Sequence, residues 1–197
     1  ITYDPDGKTL YISLSDISKG MGPQTGGDDH INVETNLCGG VFALNVGPYT
    51  DANGAVVSSY APLNWYPAIV GVPITYAAGS PYAGNTCSVN GLANPDNLAF
   101  LPGYNTLVIG EDTGSGHQND AIWSYNLITK KLTRIITTPY GAETTSPAWY
   151  PDLGGYGYLM GVVQHPYFES DKDRVNDPEA TGPESWVGVL GPFPPLK

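Results

Sequence analysis

The chain has 197 residues, with 8 basic against 19 acidic side chains and a formal net charge of −11. Its 25 Gly and 18 Pro exclude a helical bundle or coiled coil, while 41% hydrophobic residues, 14 Tyr and 4 Trp argue against disorder. So acidic a surface repels phosphate backbones, which sets nucleic acid aside as a partner, but it suits divalent cations; no apolar run is long enough to cross a membrane as a helix.

In chain order, Asp4-Pro5-Asp6-Gly7 has turn chemistry and predicts a tight hairpin before a β-like run at residues 10–14. The residues after this turn lack the ligand pattern of an EF-hand calcium loop. A polar loop leads to a second run with an aromatic at residues 41–44. Residues 52–95 contain no Asp, Glu, Lys or Arg but hold Trp65, several Tyr and many Gly, Pro, Asn and Ser. This charge-free stretch is either an insertion packed over the sheet or a surface buried against other chain.

Further runs follow at residues 107–110 and 121–125, the turn-like residues 126–130, and a run at 131–136. The last pair lies at residues 158–163 and 186–190. Between them, residues 169–184 carry six acids with Lys172 and Arg174 interleaved, the pattern of a solvated loop. The runs alternate with a period of two, and nothing shows a capped helical period.

Strand–loop–strand units recurring at intervals of tens of residues predict blades of a β-propeller, an all-β fold. Two to three blades fit in this chain, fewer than a propeller needs to close. The chain is therefore expected to be part of one propeller domain over residues 1–197, completed by other chain; a β-sandwich is the alternative. The sequence opens on Ile1 without an initiator Met or signal peptide, so it is read as a processed protein or a fragment.

Cys38 and Cys87 are the only cysteines. An even pair, with few Lys and much Tyr, Gly, Ser, Thr and Asn, fits an oxidising compartment, secreted or periplasmic. A Cys38–Cys87 bond would close a loop of about 50 residues and contribute roughly 4 kcal/mol by chain entropy. Two buried thiols, or bonds to other chain, are the alternatives. Neither Cys has a partner at zinc-ligand spacing.

The acids of the middle region sit at strand ends. Asp96 and Asn97 precede an apolar run, Glu111 and Asp112 end the next, Asn119 and Asp120 precede another, and Glu143 lies in Gly141-Ala142-Glu143-Thr144-Thr145. Gln164 and His165 close the run from Tyr158. Strand ends of successive blades open onto one face or the axial channel, where oxygens can converge on a hard cation such as Ca²⁺. Each of these pairs also has an ordinary reading as a turn or a solvated end. His165 is a candidate ligand or acid; His30 and His117, in Gly- and Asp-rich loops, are weaker ones. There is no Gly-x-Ser-x-Gly elbow, Walker loop or dinucleotide fingerprint, and no carboxylate spacing favours a glycosidase.

Pro95-Asp96-Asn97-Leu98, Glu111-Asp112-Thr113, Asn119-Asp120-Ala121-Ile122-Trp123, Gly141–Pro147 and Gln164-His165-Pro166 occur in that order. Together they resemble the PhoX-type alkaline phosphatases, in particular the algal and cyanobacterial versions. The resemblance runs from residue 1 to about residue 190 and covers roughly the C-terminal third of that family's catalytic region. It implies an exported six-bladed propeller that hydrolyses small phosphate monoesters with a calcium and iron (Ca²⁺, Fe³⁺) cluster in its channel. On that basis Asp96 corresponds to a metal ligand. Glu143, Glu111 and Asp120 become ligands or their neighbours, and Asn97, Asp112, Asn119 and His165 side chains that hold ligands in place. The family's iron-ligating Cys and an essential Arg/Glu segment fall before Ile1, and Cys38 and Cys87 do not match that Cys. The remaining N-terminal blades, or a companion chain, are thus expected to complete the site. A non-catalytic extracellular propeller module is the second reading, and a carbohydrate-active propeller a third.

Overall fold

Residues 1–23, 32–167 and 184–195 are described by a computed structural model. The sheet at its centre shows how the sequence makes this fold. β6 (Pro95–Leu101), β7 (Thr106–Glu111), β8 (Ala121–Asn126) and β9 (Leu132–Thr137) form a four-stranded antiparallel meander in chain order. The turn at residues 126–130 is built by Asn126, whose side-chain oxygen accepts the backbone N–H groups of Ile128 and Thr129.

Alternation along these strands sends apolar side chains to both faces. Leu98, Phe100, Leu107, Ile109 and Trp123 pack on one side with Tyr11, Val41 and Leu92. Ala99, Leu101, Val108 and Ile122 pack on the other with Leu159. β7 is therefore buried almost throughout, with a continuous apolar run in place of alternation. Each fully buried Leu, Ile or Phe contributes about 1.5–3 kcal/mol, so this doubly covered sheet is the principal core.

The flanking sheets supply the two covers. The first is β1 (Thr2–Asp4), β2 (Thr9–Leu14), β3 (Gly40–Thr50) and β4 (Val56–Pro62), with β5 (Tyr66–Val70) also paired to β3. The expected hairpin at residues 4–7 is present: Asp4 Oδ1 accepts the N–H groups of Asp6 and Gly7, and β1 pairs with β2. The last sheet is β10 (Glu143–Leu153), β11 (Tyr156–Gln164) and β12 (Trp186–Phe193). Its register slips at two points in β10, next to Pro147 and Pro151, which cannot donate to the ladder. The only helical turn among the described residues is a 3-10 turn at Lys19–Met21.

The three sheets are stacked face to face as blades of a partial β-propeller, as expected. Two strands of the charge-free stretch, β4 and β5, are members of the first sheet, so this part extends the blade sideways. The rest of the stretch is fastened by the Cys38–Cys87 disulfide, whose sulfurs lie 1.97 Å apart. No cysteine is free, and both half-cystines are buried against Ala93. The acidic loop at residues 169–183 and His30 lie outside the described residues.

Two outcomes follow from this packing. Cys38→Ser combined with Cys87→Ser is expected to lower stability by about 4 kcal/mol in urea unfolding, because the loop of about 50 residues is no longer closed in the unfolded chain. Tyr11 is buried, and burial first, then the charges of Tyr66 and Asp4, push its phenol up to about 12. The folded state thus holds that proton above the unfolded value of about 10. Stability is full below about pH 10 and is lost as pH rises from there through 12. Unfolding midpoints measured across this range should fall, and Tyr11→Phe should flatten the fall.

Candidate metal centre

The open end of the central sheet is shaped by one irregularity. β6 and β7 pair Pro95 with Glu111 and then slip before Leu98 meets Ile109. This bulge re-aims Asp96 and Asn97 away from the ladder. Asp112 follows β7 directly, and Glu143 is the first residue of β10. One carboxylate oxygen from each of Asp96, Asp112 and Glu143 lies within 4.8 Å of the others. Two adjacent blades thus bring three acids to one point, as the strand-end reading expected.

Neighbouring side chains fix their directions. Asn97 Nδ2 donates to Asp96 Oδ2 at 2.5 Å. Gln164 Nε2 donates to Glu143 Oε2 at 2.6 Å, and His165 Nε2 lies 3.2 Å from the same oxygen. The Ser13 hydroxyl donates to the backbone carbonyl of Asp96, which ties the bulge to β2. Asn94, held at φ 42, reaches the carbonyls of Ser15 and Leu37 with its side chain and accepts the Asp112 N–H with its carbonyl.

The charges are poorly balanced. Burial, then the charge of Asp96, raises the Asp112 carboxyl above its ordinary range, with His165 pulling it back. Burial, then Asp112, raises Glu143, opposed by its hydrogen bond to His165 and by the His165 charge, with Asp96 adding to the rise. Three carboxylates this close repel one another unless protons or a cation intervene. The donor atoms are all hard oxygens, which fits Ca²⁺ and not a thiolate-seeking metal. Both cysteines are locked in the disulfide and offer no thiolate.

The remaining candidates lie elsewhere, and Glu111, expected as a ligand or a neighbour of one, is outside the three-acid cluster. Its carboxylate is completely buried, and both oxygens are used by protein donors. Oε1 accepts the Ala93 N–H and the Trp123 indole N–H, each at 2.7 Å; Oε2 accepts the Ala121 N–H at 2.9 Å and faces His117 Nδ1 at 2.9 Å. Nothing is left over for a metal. Asp120 is also buried; its Oδ2 accepts the Thr113 N–H, and its carbonyl receives the Thr138 N–H, so it organises the loop before β8. Asn119 donates to the Thr138 carbonyl and serves the same loop. Asp112, expected only to support the ligands, stands among the three acids. His117 is a partner of Glu111, with Nε2 facing the Ser88 carbonyl at 3.0 Å.

No protein-family model matches the chain, and no curated protein matches its sequence. Among solved structures, the fold is similar to that of Pseudomonas fluorescens PhoX in complex with vanadate, a transition state analogue, with a TM-score of 0.60 and 22% identity. The match covers 95% of this chain and 32% of that one, so the chain spans about a third of the length of that protein. The likeness to PhoX expected from the motifs is borne out at the level of the fold.

The two kinds of buried acid should separate by mutation. Glu111→Ala leaves three N–H donors and His117 without their acceptor and is expected to cost about 3–5 kcal/mol. Asp112→Asn removes a mutually repelling charge. In calcium-free buffer it should raise the melting temperature, by about 2–4 °C for each 1 kcal/mol relieved. A calcium ion held by the three acids would raise the melting temperature further, and the same substitution should shrink that rise. Differential scanning calorimetry with and without calcium reads both.

Proposed function

We propose that this chain is the C-terminal part of the catalytic propeller of a metal-dependent phosphomonoesterase, an alkaline phosphatase similar to PhoX. The observation that carries the reading is the convergence of Asp96, Asp112 and Glu143 from two adjacent blades. The likeness to a PhoX crystallised with vanadate supports the class of reaction. Lys and Arg are missing between Lys19 and Lys130, so this region offers a dianionic phosphate few positive charges of its own.

Asp96, Asp112 and Glu143 would hold Ca²⁺, and Fe³⁺ would draw part of its ligands from other chain. Bound metal supplies the positive charge that clamps phosphoryl oxygens and stabilises charge in the transition state. The tasks of this chain are to hold and orient. Asn97 fixes the Asp96 carboxylate, and Gln164 and His165 fix that of Glu143. Ser13 and Asn94 lock the backbone that carries Asp96 and Asp112. The substrate is a small phosphate ester, and the remaining N-terminal blades or a companion chain complete the site. The disulfide supports a secreted or periplasmic location.

A non-catalytic propeller module is the second reading. It is favoured by the exposed apolar side chains of the charge-free stretch, including Val56, Val57, Tyr60, Leu63 and Trp65. Elemental analysis of the full-length protein and an aryl phosphate assay decide between them. Calcium with phosphate release is expected. Asp96→Ala should cut activity at least about 100-fold, the upper scale of losses at metal sites, with the melting temperature little changed. A wild-type protein with neither calcium nor iron and no phosphate release would establish the second reading.

A further inference from the structure

Asp112 and Glu143 belong to different blades, and something must keep the ends of β7 and β10 in register. Where these two ends meet, the hydrogen bonds found among the described residues pass through one hydroxyl. Thr144, fully buried, follows Glu143 directly; its Oγ1 accepts the Glu111 N–H at 2.7 Å and donates to the Glu111 carbonyl at 3.0 Å. Glu111 in turn directly precedes Asp112. The hydroxyl therefore closes both backbone groups of the residue beside one acid, from the residue beside another.

The approach is close enough to need a glycine. A Cβ added to Gly110 would lie 2.8 Å from Thr144 Oγ1 and 3.1 Å from the Thr144 carbonyl oxygen. The first is closer than a Cβ is found to any neighbour, and the second asks the Thr144 backbone to give by a few tenths of an ångström. Gly110 thus sits on the face of β7 that meets β10, the same side to which Asp112 continues.

We propose that Thr144 is the positioning residue of the cation site: its hydroxyl sets the separation of Asp112 and Glu143 across the blade boundary, and Gly110 provides the room for it. This rests on the reading of Asp96, Asp112 and Glu143 as a cation site. Thr144 touches neither metal nor substrate. It acts through the backbone, so its loss changes how well three oxygens fit one ion.

The test is calcium affinity by isothermal titration calorimetry on the full-length protein, with the calcium-free melting temperature measured beside it. Thr144→Val keeps the shape and removes the hydroxyl. It is expected to weaken calcium binding about tenfold or more, the scale of losses when a group supporting metal ligands is removed. Thr144→Ser restores the hydroxyl and should restore the affinity. Gly110→Ala leaves the hydroxyl but crowds it and the Thr144 carbonyl out of place, and should weaken calcium as Thr144→Val does, which keeps the question decidable if the valine variant fails to fold. Wild-type affinity in Thr144→Val, or in Gly110→Ala, with only the melting temperature lowered overturns the proposal and leaves the site reading standing. A wild-type protein that binds no calcium overturns both.

Discussion

The buried carboxylate of Glu111 is the constraint around which this structure is arranged. A charge removed from water is tolerated only when its lone pairs are filled, and here four partners fill them. They come from the segment before β6, the loop after β7, the start of β8 and the indole of Trp123. One side chain thus gathers the connections on both sides of the central sheet's open end. His117 adds to the arrangement, with Nδ1 facing Glu111 Oε2 and Nε2 facing the Ser88 carbonyl. Trp123, one of the four partners, is also stacked under Arg134 at 4.7 Å.

What Glu111 anchors is its neighbour. Adjacent residues of a strand point to opposite faces, so fixing Glu111 toward the first sheet sends Asp112 toward the last. The same anchoring reaches Asp96 through Ala93 and Asn94, whose backbone groups bind Glu111, Cys38 and Asp112. The disulfide stands at the far end of this short chain of contacts. A rigid, fully bonded acid and a cluster of strained ones are therefore one construction: the first absorbs no metal so that the second can be placed.

Much of this was legible in the sequence. Every β-like run read from alternation became a strand, and the strand-end location of the acids held. β10 escaped because Pro147 and Pro151 break the ladder, and β4 and β5 because the charge-free stretch is rich in turn residues. The inward direction of Glu111 is also contained in the sequence. Leu107, Ile109 and Glu111 share one face of β7, and the first two lie in the larger core cluster. Parity alone points Glu111 inward and leaves Asp112 to the face of Val108 and Gly110. The signal that could not be read is Trp123, twelve residues on, supplying the indole that a buried carboxylate needs.

The same logic of coverage bears on the outer sheets. The central sheet is covered on both faces and buries residues on each of them. Among the described residues, each outer sheet has one such neighbour. β12 leaves Trp186, Val187 and Val189 open to solvent, and β4 leaves Val56, Val57 and Tyr60. An apolar sheet face is stable when another layer lies on it, and patches of this kind mark contact surfaces. The exposed apolar side chains of β12 and β4 are thus the surfaces of the described sheets that a further layer would cover. It also explains why the acids converge where they do. A propeller brings blade ends together only when neighbouring blades are held face to face, so the placement of three carboxylates depends on the apolar contacts behind them.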